Sequence, residues 1–324
     1  MKLSELPATA SLAENTFAHD LLTALSSRPR AIAPKYFYDG EGSRLFDQIC
    51  ELPEYYPTRT ETALLHERAA EIARQIGPHA DLVEFGAGSM TKVRILLDAL
   101  GQADSLPIRY VPIDISGDYL SQAANGLRAQ FPDLRVEPIM ADYSHALVLP
   151  AAPAGARQRV GFFPGSTIGN YTPAEAVEFF RMAAGVLRGG ALLVGADLIK
   201  DPAVLHAAYS DAQGVTAAFN LNLLTRANRE LGANFDVAKF AHSAFYNAPL
   251  QRIEMHVMSC VKQEVTVFGQ TFSFEEGETL HTENSYKFTI EGLRALAQQA
   301  GFTPGPVWTD ALKKFSVHWL VAPQ

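Results

Sequence analysis

Five short apolar runs alternate with helical patterns between residues 81 and 198, and this alternation restricts the fold more than any other feature. Such a rhythm is typical of parallel strands that are joined by crossover helices. We therefore predict an α/β fold with an open, doubly wound sheet. The predicted strands are residues 81–86, 108–115, 134–142, 159–165 and 191–198.

The pattern changes after Asp197, where a long polar helical segment precedes alternating, strand-like sequence. We predict that residues 198–286 form a smaller α+β domain together with residues 1–60, and that this domain binds the substrate. The N-terminal residues lack a parallel-sheet pattern and are rich in tyrosine and phenylalanine from Tyr36 to Tyr56.

The remaining residues, 61–197 and 287–324, are predicted to form the α/β domain. A helix at about 289–300 precedes two strand-like runs, FTPGPVWTD and KKFSVHWLVA. These runs predict an antiparallel pair that completes the sheet at one edge.

The charge balance argues against two classes of partner. The 324 residues include 27 Lys plus Arg and 35 Asp plus Glu, which gives a net charge of −8, and the basic residues form no dense block. Nucleic acid and anionic membrane surfaces are therefore not expected partners. We expect a monomer that acts on a small molecule.

The cysteines and histidines predict a cytoplasmic protein without a metal. Cys50 and Cys260 are the two cysteines and form no CxxC pair, which suits a reducing compartment. The N-terminal sequence lacks the apolar core of an export signal. The histidines at positions 206, 242, 256 and 281 show no HExxH or related ligand spacing.

The turn EFGAGSMTK after the first predicted strand indicates a ligand site. Gly86 and Gly88 permit positive φ and close backbone approach, but Thr91 stands where a dinucleotide fingerprint has its third glycine. Glu84 is expected to place a carboxylate near the strand end, where it repels a pyrophosphate and attracts a cation. S-Adenosylmethionine fits this turn better than a nicotinamide dinucleotide, although a nicotinamide-dependent oxidoreductase stays open.

Acidic residues also end the next two predicted strands. Asp114 follows Gly86 by about 28 residues, near the spacing at which a carboxylate accepts hydrogen bonds from a ribose diol. Asp142 is suited to accept from an adenine amino group, and Tyr143 to cover the ring. The three strand ends together predict a nucleoside-type cofactor, whereas singly each acidic residue is also an ordinary helix cap.

Long blocks of the sequence resemble the L-histidine Nα-methyltransferases of ergothioneine biosynthesis, over nearly the whole chain. The blocks are PKYFYDGEGSRLFDQICELPEYYPTRTE (34–61), VEFGAGSMTK (83–92), FPGSTIGNYTP (163–173), residues 197–236, RIEMHV (252–257) and HTENSYKF (281–288). Two departures are Phe85, where the family often has leucine, and Asn284.

The resemblance implies a class I, Rossmann-like methyltransferase core, the methyl donor S-adenosylmethionine, and specific site residues. The implied donor-binding residues are Gly86, Lys92, Asp114, Asp142 and Tyr143. Those implied to hold the carboxylate and α-amino group of histidine are Tyr56, Asn170 and Tyr209. Glu283 and Ser285 are implied to hold the imidazole, with Met255 lining the pocket. Tyr38 is implied to lie near the reacting amine, so that the catalytic set is Tyr38, Tyr56 and Asn170.

The implied reaction is displacement at a sulfonium methyl by a neutral amine, repeated three times to give Nα,Nα,Nα-trimethyl-L-histidine (hercynine). It requires alignment and an unprotonated nucleophile more than a strong acid or a metal. The Asn170 amide presents a donor and an acceptor together. The sequence offers no obvious strong base, and the hydroxyls of Tyr38 and Tyr56 are candidates to relay a proton through water.

Alternative functions stay open at this stage. A methyltransferase for another amino acid, such as tryptophan or a prenylated derivative, is expected to lack the Glu283 and Ser285 pair. A non-catalytic binding module would bind the donor without turnover. The site residues also have structural interpretations, as packing aromatics (Tyr38, Tyr55 and Tyr56), a turn residue (Asn170), a solvated strand residue (Glu283) and a surface lysine (Lys92).

Overall fold

The computed structural model describes residues 16–143 and 147–324. The predicted absence of an export signal concerns mainly residues 1–15, which lie outside the described residues. Two compact units are present. Among the described residues, the larger unit comprises 38–143, 147–216, 244–254 and 284–324, and the smaller comprises 16–37, 217–243 and 255–283. The assignment of substrate binding to residues 1–60 and 198–286 stays a prediction, because compactness alone does not show which segments bind substrate.

The helices and strands are numbered in chain order. The helices are α1 Thr16–Ser26, α2 Gly40–Glu51, α3 Tyr56–Ile76, α4 Thr91–Gln102, α5 Gly117–Gln130, α6 Pro173–Val186, α7 Pro202–Tyr209, α8 Val215–Leu231 and α9 Ile290–Gln299. The strands are β1 Arg30–Ala31, β2 Asp81–Phe85, β3 Arg109–Asp114, β4 Ile139–Met140, β5 Arg159–Phe163, β6 Ala191–Asp197, β7 Phe240–Asn247, β8 Arg252–Ser259, β9 Gln263–Val267, β10 Gln270–Phe274, β11 Thr279–Tyr286, β12 Thr303–Thr309 and β13 Phe315–Val321. Short 3-10 helices span Pro34–Phe37, Thr167–Asn170 and Val237–Lys239.

A seven-stranded sheet forms the centre of the larger unit, in the order β12-β13-β6-β5-β2-β3-β4. The strands from β2 to β6 pair in parallel, whereas β13 pairs antiparallel with both β6 and β12. The predicted doubly wound sheet and its antiparallel edge pair are thus confirmed. All residues of β2 and β6 are buried, as expected for strands with helices on both faces.

The third predicted strand, 134–142, is longer than the strand that the structure contains. Only Ile139–Met140 forms β4, and Val136 makes an isolated bridge with Tyr110. The Tyr110 N–H donates to the carbonyl of Arg135, and the Glu137 N–H donates to the carbonyl of Tyr110. The next donor on β3 would be residue 112, which is a proline without an N–H, so the ladder is interrupted there.

The core of the larger unit lies on both faces of this sheet. Leu82 belongs to one buried apolar cluster and its neighbour Val83 to the other, because successive side chains of a strand point to opposite faces. Burial on both faces fixes the register of the parallel strands, since a slip of one residue would exchange the two clusters. The carboxyl ends of the strands are thereby held in fixed positions relative to each other.

A second sheet has the order β1-β11-β8-β7, and β9 and β10 form a separate antiparallel hairpin. The hairpin turn consists of Phe268 and Gly269, whose φ values of 47° and 73° are both positive. Such a two-residue turn matches the twist of the flanking strands. Among the described residues, no helix combines the length and the apolar character that a membrane span requires.

Candidate active site

The glycine turn after β2 joins the end of β3 through backbone hydrogen bonds. Gly86 and Gly88 have φ values of 71° and 49°, so the turn uses the positive φ that the sequence predicted. The Gly88 N–H donates to Asp114 Oδ2 at 3.0 Å, and the Ser116 N–H donates to Asp114 Oδ1 at 3.0 Å. Each carboxylate oxygen keeps a further lone pair for a ligand hydroxyl.

Tyr143 and Asp142 lie beside the same turn. A Cβ placed on Gly86 would come within 2.7 Å of the Tyr143 hydroxyl, which means that the tyrosine lies directly against the glycine. The Ala141 N–H donates to the carbonyl of Asp114 at 3.1 Å, and this bond holds the segment that carries Asp142. The structure therefore brings together four of the five predicted donor-binding residues. Their contacts with a donor stay a prediction.

Gly86→Ala is expected to weaken binding of S-adenosylhomocysteine by about tenfold or more, because the new methyl group must displace Tyr143 as well as adopt a positive φ. Calorimetric titration measures this loss. Gly77→Ala is the matched control, since Gly77 has a φ of 68° but open space around its Cβ position. It is expected to lower stability by about 1 kcal/mol and to leave binding unchanged. Equal affinity of the two variants would contradict the prediction.

Lys92, the fifth predicted donor-binding residue, is mostly buried, and its ammonium group binds a carboxylate of α3. Its Nζ lies 2.5 Å from Oε2 of Glu61, a residue of α3 whose surface is fully buried. The two carboxylate oxygens of Glu61 also accept from the N–H of Gly165, at 3.0 and 2.8 Å. Glu61 thus links the start of α4 to the loop that follows β5.

Glu84 does not present a charge at the sheet edge, and the expectation that it attracts a cationic ligand is wrong. Its side chain is buried and accepts a hydrogen bond from the Tyr110 hydroxyl. Burial raises the pKa of Glu84 to about 8, so that the carboxyl is mostly protonated at neutral pH. Glu84 shares a face of the sheet with Leu82, and the buried apolar cluster that contains Leu82 and Tyr110 covers that face, so its side chain lies in the core rather than at the ligand edge.

Glu84→Gln is expected to stabilise the protein increasingly as the pH rises. The pKa of Glu84 in the folded chain is about 8, above its ordinary value of 4.5, so folding takes up a proton between these pH values. Stability that depends on this carboxyl therefore falls as the pH rises through that window, whereas glutamine does not titrate. Urea unfolding at pH 5 and pH 8.5 is expected to show a gain of about 2–4 kcal/mol for the variant at the higher pH. A constant difference would contradict it, and Glu264→Gln, at an exposed position of β9, is the control.

Asp197, the last residue of β6, is the centre of a buried cluster of charges and hydroxyls. Its Oδ2 accepts from the Tyr56 hydroxyl at 2.5 Å and lies 2.9 Å from Lys287 Nζ, while its Oδ1 lies 2.6 Å from Lys200 Nζ. Lys200 Nζ also donates to the Tyr56 hydroxyl at 2.7 Å. Burial is the main cause that raises the pKa of Tyr56, and the negative charge of Asp197 adds to it, so the hydroxyl stays protonated.

Lys287 connects this cluster to two other predicted substrate-binding residues. Its buried Nζ donates to Ser285 Oγ at 2.8 Å and to the Tyr209 hydroxyl at 3.1 Å, and these two hydroxyls lie 2.7 Å apart. Burial alone would lower the pKa of Lys287, but Asp197 and its other partners hold it above the ordinary value. Tyr56, Tyr209 and Ser285 are therefore held in one network around a permanent ion pair.

The loop that carries Asn170 is fixed to the same network. The N–H of Asp197 donates to Ser166 Oγ at 2.9 Å. A Cβ on Gly169 would lie 2.8 Å from the carbonyl oxygen of Tyr286, so only glycine permits this approach of the 3-10 helix to the end of β11. Asn170 ends that helix, half-buried, one residue from this contact. The structure thus brings Asn170 to the region of Ser285.

Tyr38 lies at the other end of a row of aromatic rings. Ring centroids are 5.7 Å apart for Tyr38 and Phe46, 6.4 Å for Phe46 and Tyr55, and 6.1 Å for Tyr55 and Tyr209. The carbonyl of Tyr38 also accepts from Ser116 Oγ at 2.8 Å, next to the end of β3. Tyr38 is therefore near the donor edge, and its contact with the amine stays a prediction.

Met255 and Glu283 belong to the smaller unit, whereas Ser285 belongs to the larger one. Met255 is buried on β8, and its carbonyl accepts from Thr282 Oγ1 at 3.0 Å. Glu283 is half-buried on β11. Recognition of an imidazole by these residues stays a prediction.

The strands pair two histidines that have no metal-binding spacing in the sequence. The rings of His256 on β8 and His281 on β11 stack with centroids 4.7 Å apart. The side chains of distant strand residues meet in a sheet, so linear spacing alone does not test for metal ligands. That the chain uses no metal stays a prediction.

Sequence reasoning missed four mostly buried charged residues, namely Asp197, Lys200 and Lys287 of the network and Glu61, which binds Lys92. Asp197 ends a predicted strand, and the rule that selected Asp114 and Asp142 would have selected it too. The other three are mostly buried charged residues, and no local sequence pattern marks them as part of a site.

In the large sheet, β13 is inserted antiparallel beside β6. The glycine turn after β2 lies against Asp114, the acidic residue that ends β3. This sheet order and this turn define a class I, Rossmann-like methyltransferase. A family model described as histidine-specific methyltransferase, SAM-dependent, matches residues 17–322. A histidine N-alpha-methyltransferase of Mycolicibacterium smegmatis is 41% identical, with 95% of both chains covered. Its counterpart in Mycobacterium tuberculosis is 42% identical, with 92% of both covered. The chain belongs to the family of histidine-specific, S-adenosylmethionine-dependent methyltransferases.

A more distant relative is ergothioneine biosynthesis protein 1 of Neurospora crassa. It is 29% identical, over 90% of this chain and 33% of that protein.

Proposed function

We propose that this chain transfers methyl groups from S-adenosylmethionine to the α-amino nitrogen of L-histidine, three times, and so makes Nα,Nα,Nα-trimethyl-L-histidine as the first step of ergothioneine biosynthesis. The observation that carries the proposal is the network in which Lys287 and Asp197 hold the hydroxyls of Tyr56, Tyr209 and Ser285. Membership of the histidine-specific family supports the choice of substrate.

The residues present fit the methyl donor. Gly86 and Gly88 open the backbone of the turn, and Asp114 offers a carboxylate to a ribose diol at the end of β3. The donor supplies an electrophilic methyl group on a sulfonium. Asp114, Asp142 and Tyr143 would hold its adenosine, and Lys92 would act through Glu61 on the shape of the turn.

The protein contributes alignment of the amine. Tyr56 and Tyr209 have fixed hydroxyls, because buried charges hold both of them, and Asn170 offers an amide on a loop fixed to Asp197. Preorganised groups of this kind can supply about 7–11 kcal/mol in favourable cases by holding reactants in line. Lys200 Nζ lies 4.6 Å from the centre of the Tyr56 ring, and this contact supports a role for the ring beside a charged amine.

The proposal includes a monomeric chain that acts in the cytoplasm, uses no metal and binds neither nucleic acid nor a membrane. The net charge of −8 and the spread of basic residues support the choice of a small substrate. An in-line methyl transfer to an amine needs no Lewis acid, which supports a metal-free reaction.

A screen of the twenty amino acids for uptake of labelled methyl from S-adenosylmethionine tests the function. L-Histidine is expected to be labelled well above the others, with a product mass that corresponds to three methyl groups. Preferred labelling of tryptophan would instead indicate a different amino-acid methyltransferase. Donor binding without label on any amino acid would indicate a binding module, and a monomethyl end product would contradict the triple transfer.

A further inference from the structure

The chemistry of repeated methylation requires a proton acceptor inside the site. The first and second transfers each leave an ammonium with at least one N–H, and that proton must leave before the nitrogen can attack again. The third transfer leaves a quaternary nitrogen without a proton. Bound intermediates thus need an acceptor twice, next to the groups that hold the α-amino nitrogen.

We propose that Lys200, acting through the Tyr56 hydroxyl, accepts the proton that the methylated amine must lose between transfers. This inference rests on the proposed function, because it takes the amine to lie against Tyr56. Lys200 touches Tyr56 rather than the substrate, so it is a positioning and relay residue and Tyr56 is the residue in contact.

The geometry supplies a continuous path for the proton. Lys200 Nζ lies 2.7 Å from the Tyr56 oxygen, and both contact the carboxylate of Asp197, at 2.6 Å and 2.5 Å. The Lys200 side chain is 9% exposed and that of Lys287 is 0% exposed, so Lys200 is the one of the two lysines that lies nearer to solvent. Asp197 holds both ends of the relay in a fixed position.

Lys200 and Lys287 differ in what surrounds them, although both bind Asp197. The groups that face Lys200 are Asp197, Tyr56, Lys287 and Asp310, and Lys314 lies 5.8 Å from the Tyr56 ring. Burial lowers the pKa of Lys200 to about 8, and the charge of Lys287 acts in the same direction, while Asp197 and Asp310 oppose them.

Lys287 keeps its charge as the permanent partner of Asp197, since its pKa is raised. The neutral form of Lys200 therefore leaves a balanced ion pair in the cluster and is accessible near neutral pH. Tyr56 cannot serve as an ionised base, because its own pKa is raised by burial.

The proton balance of the step is complete. One N–H bond of the methylated ammonium breaks, and its proton moves to the Tyr56 oxygen. With Lys200 neutral, the Tyr56 O–H turns from Asp197 Oδ2 toward the Lys200 Nζ lone pair, 2.7 Å away. That O–H bond then breaks and its proton binds Nζ, whose two other N–H groups stay on Asp197 Oδ1 and the Leu198 carbonyl. The amine becomes neutral, Lys200 becomes an ammonium, and Tyr56 is unchanged. No electrons are transferred to or from another group, and Lys200 then releases its proton to solvent.

Lys200→Arg tests the relay, because arginine keeps a cation beside Asp197 and Tyr56 but does not give up a proton in this pH range. Rates of methyl transfer to histidine and to Nα,Nα-dimethylhistidine are measured from pH 6.5 to pH 10. For the wild type, the rate is expected to rise with pH to a plateau above about pH 8. The variant is expected to be slower by about 10²-fold on the plateau, to lack this titration, and to release monomethyl and dimethyl products.

Lys239→Arg is the matched control, since Lys239 forms an exposed ion pair with Asp236 at 3.2 Å. It is expected to behave as the wild type. Unchanged affinity of Lys200→Arg for S-adenosylhomocysteine is expected to show that the site is intact. Complete trimethylation by Lys200→Arg with the wild-type pH profile would overturn the proposal.

A second variant keeps the lysine in place. Asp310→Asn removes a charge that raises the pKa of Lys200, so the acid limb of the profile is expected to move to lower pH. An acid limb at the wild-type position would overturn the relay even if Lys200→Arg failed to fold. Absence of histidine methylation by the wild type itself would refute the proposed function instead, so the two failures are distinguishable.

Discussion

Asp197→Asn is expected to lower the free energy of unfolding by about 3–5 kcal/mol and to abolish measurable turnover. The substitution leaves Lys287, whose surface is 2% exposed, without its counter-charge. Removal of one partner of a buried ion pair costs this much because the other charge stays desolvated. Urea unfolding and a methyl-transfer assay measure the two effects.

The pH dependence of that loss separates it from a simple packing defect. Without Asp197, the pKa of Lys287 in the folded chain is expected to fall below its unfolded value. The unfolded chain then binds more protons in this window, so stability is regained as the pH rises toward that of free lysine. Asp133→Asn, at an exposed position after α5, is the control and is expected to change neither stability nor turnover. A deficit that is the same at every pH would contradict the assigned ion pair.

Glu283→Ala is expected to lower kcat/KM for histidine by about 10²–10⁴, mainly through a higher KM, and to relax selectivity among amino acids. A carboxylate can accept from one imidazole nitrogen while the Ser285 hydroxyl bonds the other. A site built for such polar groups rejects ligands that leave them unpaired far better than an apolar pocket does. Steady-state kinetics with histidine, tryptophan and phenylalanine measure the change.

Glu264→Ala is the matched control for this experiment, because Glu264 is an exposed glutamate on strand β9. Unchanged histidine kinetics in Glu283→Ala would remove Glu283 from the substrate site. A loss of kcat with unchanged KM and selectivity would also contradict imidazole recognition, since recognition affects binding of the substrate first.

The fold was predictable because it depends on local patterns. The apolar runs at β2, β3, β5 and β6 match strands that are buried along nearly their whole length. Short continuous apolar runs in the sequence are enough to predict such strands. The prediction failed in detail where one residue overrides the pattern, as Pro112 of β3 does opposite the segment before β4. An apolar segment predicts a strand even when the strand beside it lacks one of the N–H donors that the ladder needs.

The donor edge was predictable for a similar reason. Parallel strands end at one edge of the sheet, so acidic residues at the ends of successive strands, such as Asp114, lie near the glycine turn. Glu84 shows the limit of this rule. Its position near the end of the strand suggested a ligand contact, but the sequence does not show that its side chain is buried against Tyr110.

The charge network was not predictable from local sequence. Glu61 and Lys92 are 31 residues apart, and Tyr56 and Asp197 are 141 apart. Buried ion pairs of this kind form only when the fold brings remote segments together, and each partner alone resembles an ordinary surface residue. The family resemblance identified Tyr56 and Ser285 but gave no account of the lysines and carboxylates that hold them.

The most direct measurement is a crystal structure of the protein with both S-adenosylhomocysteine and L-histidine. We expect the adenosine along the carboxyl ends of β2, β3 and β4 with its ribose on Asp114, and the histidine α-amino nitrogen beside Tyr56, directed at the sulfur. Glu283 and Ser285 are expected to contact the two imidazole nitrogens. An empty sheet edge, or a bound histidine with Glu283 turned to solvent away from it, would contradict the assignment of this chain as a histidine Nα-methyltransferase.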